Sequence, residues 1–195
     1  MKRLILDSNS PRRRELLAGL GIPFEVSVIP GIEESYPDSL SVDQVPVFIA
    51  REKATPYLGR LTEDDIVLTA DTVVIVGREI LGKPVDEEDA CRMLRLLSDR
   101  THQVVTGVCL SGLDVSKSFS VKTDVTFKRL AEEEIRYYVT HYHPLDKAGA
   151  YGIQEWIGYI GCVGLRGSYY NVMGLPVQRT YEELRNEPAW GFSMP

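Results

Sequence analysis

Three consecutive arginines, Arg12–Arg14, follow the Ser-Asn-Ser-Pro run at 8–11, which predicts the start of a helix. Ser10 suits the N-cap of this helix and Pro11 suits its first position. The N-terminus of a helix carries unpaired N–H groups and a partial positive charge, so basic side chains are not favoured there. A bound anion would compensate for this accumulated charge, and phosphate is the anion that helix starts commonly hold.

Helical geometry distinguishes the arginines from one another. The apolar face formed by the leucines of this helix passes close to Arg13, so Arg13 is expected to line a cleft and Arg14 to face water. The alternative is an exposed basic helix start, in which Ser8 and Ser10 only cap the helix.

A carboxylate follows a buried segment at Asp71. The apolar run at 66–70 has the length and composition of a strand covered on both faces of a sheet. Asp71 is therefore expected where this strand emerges, and that rim is where ligands bind in open α/β sheets. An aspartate that only hydrogen-bonds the amides of a turn fits the sequence equally well.

Two lysines are candidates for further phosphate contacts. Lys83 ends a segment that nearly matches the P-loop pattern, but Pro84 offers no hydroxyl for Mg²⁺ and disfavours a helix beginning at the lysine. Lys83 is thus either a point charge held beside a phosphate or part of a surface turn. Lys53 lies at the border of the apolar face of its predicted helix, where it either snorkels to water or faces a site.

Taken together, these side chains suggest a site for a triphosphate and a metal ion. Arg13, Lys53 and Lys83, with one Mg²⁺, would offset the negative charge of a triphosphate. Asp71 and Glu33 would supply the hard oxygen ligands that Mg²⁺ prefers. Glu33, in a turn rich in glycine and proline, is uninformative by itself.

Composition excludes several classes of protein. The formal net charge of -6 argues against binding to bulk nucleic acid, which depends on clustered Lys and Arg. The 3 cysteines are widely spaced, so neither a disulfide framework nor a zinc cluster is indicated. No segment has the length of a signal peptide's apolar region or of a membrane span, and we expect a cytoplasmic protein without membrane association.

Hydrophobic periodicity and turn residues predict an α/β protein with a mixed sheet. Predicted strands cover 4–6, 24–29, 66–70, 72–76, 79–81, 102–110 and 116–127, and predicted helices cover 11–20, 45–54, 86–98, 131–139 and 179–185. Without internal repeats or a linker, residues 1–186 are expected to form one domain with two lobes. Residues 187–195 lack periodicity and are predicted to be a flexible tail.

Beyond these local patterns, the chain resembles the Maf family of nucleotide pyrophosphatases from Leu4 to about Leu184. The resemblance is carried by Ser8–Arg13, Gly31–Glu34, Ala50–Ala54, Ala70–Val73, Gly82–Pro84, Asp146–Gln154 and Gly167–Pro176. It implies a mixed twisted sheet with helices on both sides and two lobes around a central cleft, as in HAM1 and inosine triphosphate pyrophosphatases. It also implies a homodimer and a divalent metal cofactor, Mg²⁺, Mn²⁺ or Co²⁺.

The same resemblance implies roles for individual residues. Asp71 would accept a proton from the attacking water and, with Glu33, hold the metal. The phosphates would be bound by Ser8, Ser10, Arg13, Lys53 and Lys83. The residues that match the family branch acting on dTTP and UTP are Arg12, Thr72 and Gln154. The implied reaction is metal-assisted attack of water on the α-phosphorus, with pyrophosphate as the leaving group.

Two departures from the family pattern bear on the site. Asp7 stands where a small residue is usual and adds a negative charge near the proposed phosphate site, and Glu155-Trp156 follows Gln154 where small residues are common. One alternative function is a house-cleaning pyrophosphatase for modified pyrimidine nucleotides. The other is a non-catalytic nucleotide-binding regulator of cell division.

Overall fold

The computed structural model describes residues 2–32 and 34–191, which form a seven-stranded mixed sheet flanked by helices. The strands are β1 Arg3–Asp7, β2 Phe24–Val26, β3 Asp65–Val76, β4 Glu79–Leu81, β5 Thr101–Ser111, β6 Ser116–Phe127 and β7 Cys162–Arg166. The helices are α1 Pro11–Ala18, α2 Val45–Leu58, α3 Glu87–Leu97, α4 Glu132–Tyr142, α5 Trp156–Gly161, α6 Tyr169–Met173 and α7 Val177–Asn186. Three 3-10 helices lie at Pro144–Asp146, Ala148–Ala150 and Pro188–Trp190.

The sheet has the strand order β2-β1-β3-β5-β6-β7, and β4 pairs with β3. Strand β1 is parallel to both β2 and β3, whereas β4 is antiparallel to β3 and β7 is antiparallel to β6. Both parallel and antiparallel pairs are therefore present, and the expected mixed α/β class is confirmed.

The chain divides into two compact units. The first contains the described residues up to 71 together with 106–121 and those from 174 onward, and the second contains 72–105 and 122–173. One domain with two lobes around a cleft stays a prediction. Among the described residues, no helix is both long enough and apolar enough to cross a membrane.

In the first unit, α2 lies directly on the backbone of the sheet. Gly107 of β5 is so close to Pro46 that a Cβ at this glycine would lie 2.3 Å from the Pro46 carbonyl. Thr69 of β3 donates its hydroxyl to the Ala50 carbonyl at 2.6 Å. These two contacts fix the height and rotation of α2 over β3 and thereby decide which side chains of the helix face the strand.

The predicted end of the second helix at residue 54, before Pro56, was wrong, because α2 continues to Leu58. Tyr57 in this last turn is 5% exposed and belongs to a core cluster with Ile5 and Val67. Its hydroxyl also donates to the Ser27 carbonyl at 2.7 Å. Tertiary packing of the tyrosine therefore stabilises a turn that the proline alone would disfavour.

The predicted strands 66–70 and 72–76 are one continuous strand, so Asp71 lies within β3 and not at its end. Strand pairing explains why β3 is continuous, since the first part of β3 pairs with β1 and the last part pairs with β4. The last pair with β1 joins Asp7 to Thr69. Asp71 thus lies two residues beyond the point at which β1 ends, in a part of β3 that is still extended. The predicted strand 79–81 is confirmed as β4, which forms a hairpin with β3 around Gly77, whose φ is +61°.

In the second unit, the core lies between α3, α4 and the strands. The buried phenol of Tyr138 on α4 and the ring of Phe127 on β6 are among its largest side chains. Helix α3 begins after Asp86, whose carboxylate accepts from the Asp89 amide at 2.8 Å, as an N-cap does. The predicted helix at 86–98 is confirmed, whereas α5, α6 and β7 had no clear sequence signal.

Part of the predicted flexible tail has a defined structure. Pro188–Trp190 form a 3-10 helix, and Trp190 is only 2% exposed. Glu187 pairs with Lys117 at 2.9 Å. Burial of one large aromatic ring orders a segment that has no periodicity of its own. Residues 192–195 lie outside the described part of the chain.

Candidate functional site

The start of α1 is held by its two serines. The Ser10 hydroxyl accepts from the Arg13 amide at 3.4 Å, and the Ser8 hydroxyl accepts from the Ser10 amide at 3.2 Å. Ser8 is buried and Ser10 is half-buried. Ser10 therefore caps the helix, as one of the two interpretations of the sequence expected, and the phosphate-binding role of both serines stays a prediction.

Arg13 and Arg14 differ as the helix geometry predicts. Arg13 is half-buried, and its guanidinium donates from Nε to the Gly174 carbonyl at 2.8 Å and from Nη1 to the Ala70 carbonyl at 2.9 Å. Arg14 is exposed and makes longer bonds of 3.3 Å to the Ser8 carbonyl. Burial lowers the pKa of Arg13, and the negative charge of Asp71 partly reverses that effect. Arg13 therefore joins α1 to the residue before Asp71.

Lys53 of α2 lies between two carboxylates. Its ammonium is 3.0 Å from Asp71 Oδ1 and 2.7 Å from Glu34 Oε1. The fold explains this contact, because Thr69 and Asp71 lie on the same face of β3, while Ala50 and Lys53 are one helical turn apart. The bond between Thr69 and Ala50 therefore brings the lysine over the aspartate.

Glu34 is a site residue that the sequence reasoning missed. Glu33, the predicted metal ligand, lies outside the described residues, so its role stays a prediction. The adjacent Glu34 reaches the same ammonium as Asp71. Within the sequence, only its place in the Gly31–Glu34 segment could have drawn attention to it.

A third carboxylate of the first unit is Asp7, at the end of β1. It is only 7% exposed, and burial raises its pKa. The nearby Tyr57 hydroxyl, the Ile29 backbone and the positive charges of Lys53 and Arg13 act in the opposite direction. The sequence identified Asp7 as an unusual charge, but only the structure shows that it is buried beside these cations.

The charges of this cluster nearly cancel before any ligand is considered. The cluster contains three positive side chains and three carboxylates. The cations are Arg12, Arg13 and Lys53, and the carboxylates are those of Asp7, Glu34 and Asp71. A polyanion would therefore meet a nearly neutral site. An added positive charge, such as that of a divalent cation, would favour the binding of a polyanion to this cluster.

The donor set fits such a cation in part. Among the described residues, no group of three or more His, Cys, Asp or Glu side chains forms a metal site. Two carboxylate oxygens, from Asp71 and Glu34, nevertheless lie within ion-pair distance of one ammonium. One or two carboxylates plus substrate oxygens is the ligand set with which proteins commonly bind Mg²⁺.

The structure groups the predicted residues by unit. Those in the first unit are Ser8, Ser10, Arg12, Arg13, Lys53 and Asp71, and those in the second are Thr72, Lys83 and Gln154. Thr72 follows Asp71 in β3 and is half-buried, and Lys83 is exposed in the turn after β4. The Gln154 side-chain oxygen is buried and has no hydrogen-bond partner among the described residues.

Comparison with known proteins gives a consistent family. A model of the family described as "Maf-like protein" matches residues 3–187. A dTTP/UTP pyrophosphatase of Phocaeicola vulgatus is 56% identical over 183 residues, covering 94% of this chain and 95% of that protein. A dTTP/UTP pyrophosphatase of Porphyromonas gingivalis is 54% identical over 186 residues, covering 94% of each chain. A solved HAM1 protein of Coxiella burnetii is more distant, with 16% identity, a TM-score of 0.47, and coverage of 96% of this chain and 100% of that one.

Proposed function

Because the chain belongs to the Maf-like family, we propose that it is a nucleoside triphosphate pyrophosphatase that hydrolyses dTTP and UTP to the monophosphate and pyrophosphate. The observation that carries this proposal is the Lys53 ammonium held between Asp71 and Glu34. The same unit places Arg13 next to Asp71 through the Ala70 carbonyl. Relatives that are named dTTP/UTP pyrophosphatases at 56% and 54% identity support the choice of substrate.

Asp71 is the general base of the proposed reaction. It accepts a proton from the water that attacks the α-phosphorus, while pyrophosphate leaves with the departing electron pair. Lys53 donates to Oδ1 of Asp71, and a carboxylate has enough lone pairs to accept from a water as well. The lysine thus fixes the orientation of the base, and positioning supplies much of the rate enhancement in phosphoryl transfer.

Asp71 and Glu34 would hold the divalent cation, together with Glu33 as the sequence predicts. When bound, Mg²⁺, Mn²⁺ or Co²⁺ would neutralise charge on the phosphate oxygens. The remaining work belongs to the chain. Ser8, Ser10 and the start of α1 offer donors to the phosphates, and Arg13, Lys53 and Lys83 contribute positive charge.

Replacement of the base tests the reaction. The Asp71→Asn variant keeps the size of the side chain but cannot accept the proton, so it should fold and lose nearly all pyrophosphate release from UTP. Glu52→Gln, at an exposed position on α2, is the matched control and should keep wild-type turnover. Wild-type rates in Asp71→Asn would remove Asp71 from the mechanism.

A nucleotide panel tests the substrate. Pyrophosphate release should be fastest with dTTP and UTP, should stop in EDTA and should return with a divalent cation. Faster turnover of modified pyrimidine triphosphates would instead favour a house-cleaning enzyme. Binding of UTP without any pyrophosphate release would favour a nucleotide-binding regulator.

Two further expectations concern the whole protein. We expect a homodimer, as the family resemblance implies, and a location in the cytoplasm. Light scattering coupled to size-exclusion chromatography should give twice the chain mass of 21.9 kDa, and a monomer mass at working concentration would contradict it.

A further inference from the structure

The exposed side chain of Lys83 extends from a backbone that is held on both sides of the residue. Before it, the Gly82 carbonyl accepts from the Gly149 amide at 3.0 Å. After it, Pro84 is buried. A long, flexible lysine side chain can place its charge accurately only if its backbone is fixed. The contacts that hold Gly82 therefore bear on where the Lys83 ammonium lies.

The turn that contains Gly149 packs directly on the hairpin formed by β3 and β4. Gly149 has a φ of +68°, and a Cβ there would lie 2.7 Å from Val74 Cγ2. Val74 of β3 is the partner of Leu81, the last residue of β4. The turn thus contacts the hairpin at two points, the Val74 side chain and the Gly82 carbonyl. Glycine is required at this position, because a side chain would need both a left-handed backbone and the space that Val74 occupies.

A buried lysine, Lys147, closes this turn. Its carbonyl accepts from the Ala150 amide at 3.1 Å, so the backbone folds back around Gly149. Lys147 is 8% exposed, and its ammonium lies 2.8 Å from Asp146 Oδ1 and 3.2 Å from Glu155 Oε1. A buried ammonium is tolerated only with such partners. The lysine therefore holds the turn through its backbone and through its side chain.

Glu155 connects this lysine to α4. The fully buried Tyr138 donates its hydroxyl to Glu155 Oε2, and the same hydroxyl accepts from the Gly152 amide at 3.0 Å. Lys147 and Tyr138 thus engage one oxygen each of the Glu155 carboxylate. Without the ammonium, the carboxylate would lose a charged partner, and the turn would lose its side-chain link to α4.

We propose that Lys147 is a positioning residue for Lys83: its ion pairs fix the turn whose Gly149 amide holds the Gly82 carbonyl, and the turn in turn fixes the lysine that contacts a phosphate. This inference rests on the proposed triphosphate activity, in which Lys83 contributes positive charge. Lys147 does not touch the substrate, because its buried ammonium faces two carboxylates and its charge is already neutralised within the protein.

The test is a double-mutant cycle on the dissociation constant of α,β-methylene-UTP, measured by calorimetry with Mg²⁺ present. The bridging carbon of this analogue cannot leave, so binding is measured without turnover. Lys83→Ala should raise the dissociation constant about tenfold, the worth of one hydrogen bond from a charged donor. Lys147→Met keeps the length of the side chain, removes the ammonium and should raise the constant about five- to tenfold.

The double variant identifies the route of the effect. If Lys147 acts through Lys83, adding Lys147→Met to Lys83→Ala should weaken binding by no more than about twofold further. A general structural role would weaken binding by the same factor with or without Lys83, and that result overturns the proposal. Lys128→Met is the matched control, because Lys128 of the same unit also pairs with a carboxylate, that of Glu134 at 2.7 Å, and it should bind the analogue as wild type does.

Two additions keep the test decisive. If Lys147→Met does not fold, Glu155→Gln weakens the attraction for the ammonium and is measured in the same two backgrounds, with the same expectation. An unchanged dissociation constant in Lys83→Ala, or in the variant that removes or weakens the ion pair, overturns the inference while pyrophosphate release from UTP can still support the proposed function. A wild-type protein that binds the analogue but releases no pyrophosphate refutes the proposed function, and the cycle still decides the role of Lys147.

Discussion

Replacing Arg13 tests whether this side chain binds the protein's own backbone as well as a phosphate. Its guanidinium donates to the carbonyls of Gly174 at 2.8 Å and Ala70 at 2.9 Å. A hydrogen bond from a charged donor contributes about 1.5–3 kcal/mol, and the lower figure suits a half-buried side chain. Losing both bonds in Arg13→Ala should therefore reduce the free energy of unfolding by about 3 kcal/mol.

For a chain of this length, a loss of about 3 kcal/mol corresponds to a fall in Tm of about 6–12 °C. Arg14→Ala is the matched control, because it removes an equal charge from the same helix. Its bonds to Ser8 are longer, at 3.3 Å, and the side chain is exposed. Arg14→Ala should shift Tm by no more than about 2 °C, as surface substitutions usually do.

Kinetics complete the assay. Arg13→Lys keeps the positive charge but cannot make two bonds in the geometry of a guanidinium, so it should lose stability and retain more affinity for UTP than Arg13→Ala does. The two measurements thus separate the structural role from charge neutralisation. Equal Tm values for wild type and Arg13→Ala would refute the structural part of this reasoning, and an unchanged KM for UTP would refute the anion site.

Three further predictions concern burial. Because burial raises the pKa of Asp7, the folded state binds the carboxyl proton more tightly than the unfolded chain does. The stability gained in this way is present at low pH and is lost as pH rises through the pKa of the folded state. The Asp7→Asn variant should therefore become more stable relative to wild type as pH increases. A Tm difference that stays constant with pH would contradict this. Gly107→Ala places a Cβ 2.3 Å from the Pro46 carbonyl and should reduce the free energy of unfolding, measured by chemical denaturation, by about 1–3 kcal/mol or more. Gly59→Ala is the control, because it has open space around the added Cβ and should change this free energy little. Trp190→Ala removes a buried ring and should reduce the free energy of unfolding by about 3–5 kcal/mol. An unshifted denaturation midpoint would show that the residues after α7 contribute nothing to the core.

Much of the secondary structure follows from local sequence. The helix at 86–98 was predicted from its amphipathic period, and the strands at 72–76 and 79–81 from their apolar runs. Such signals are readable because each depends on residues within a few positions of one another. The difference between Arg13 and Arg14 was predictable for the same reason, since helical geometry fixes their relative directions.

The site itself required long-range contacts. Lys53 and Asp71 are 18 positions apart, and they meet at 3.0 Å only because α2 lies on β3. Neither the continuity of β3 through Asp71 nor that of α2 through Pro56 could be read locally, because pairing with β4 and burial of Tyr57 decide them. Glu34 was missed because the residues around it in the sequence do not indicate that its side chain faces Lys53.

The sequence by itself determined the periodic elements, the basic start of α1 and the resemblance to a family. The tertiary structure decided which charges face each other, and it showed that Asp7 is buried and that Glu155 is paired on both oxygens. The physical reason is that burial and ion pairing are properties of packed surfaces. They arise between elements that are distant in the chain, and periodicity within one element carries no information about them.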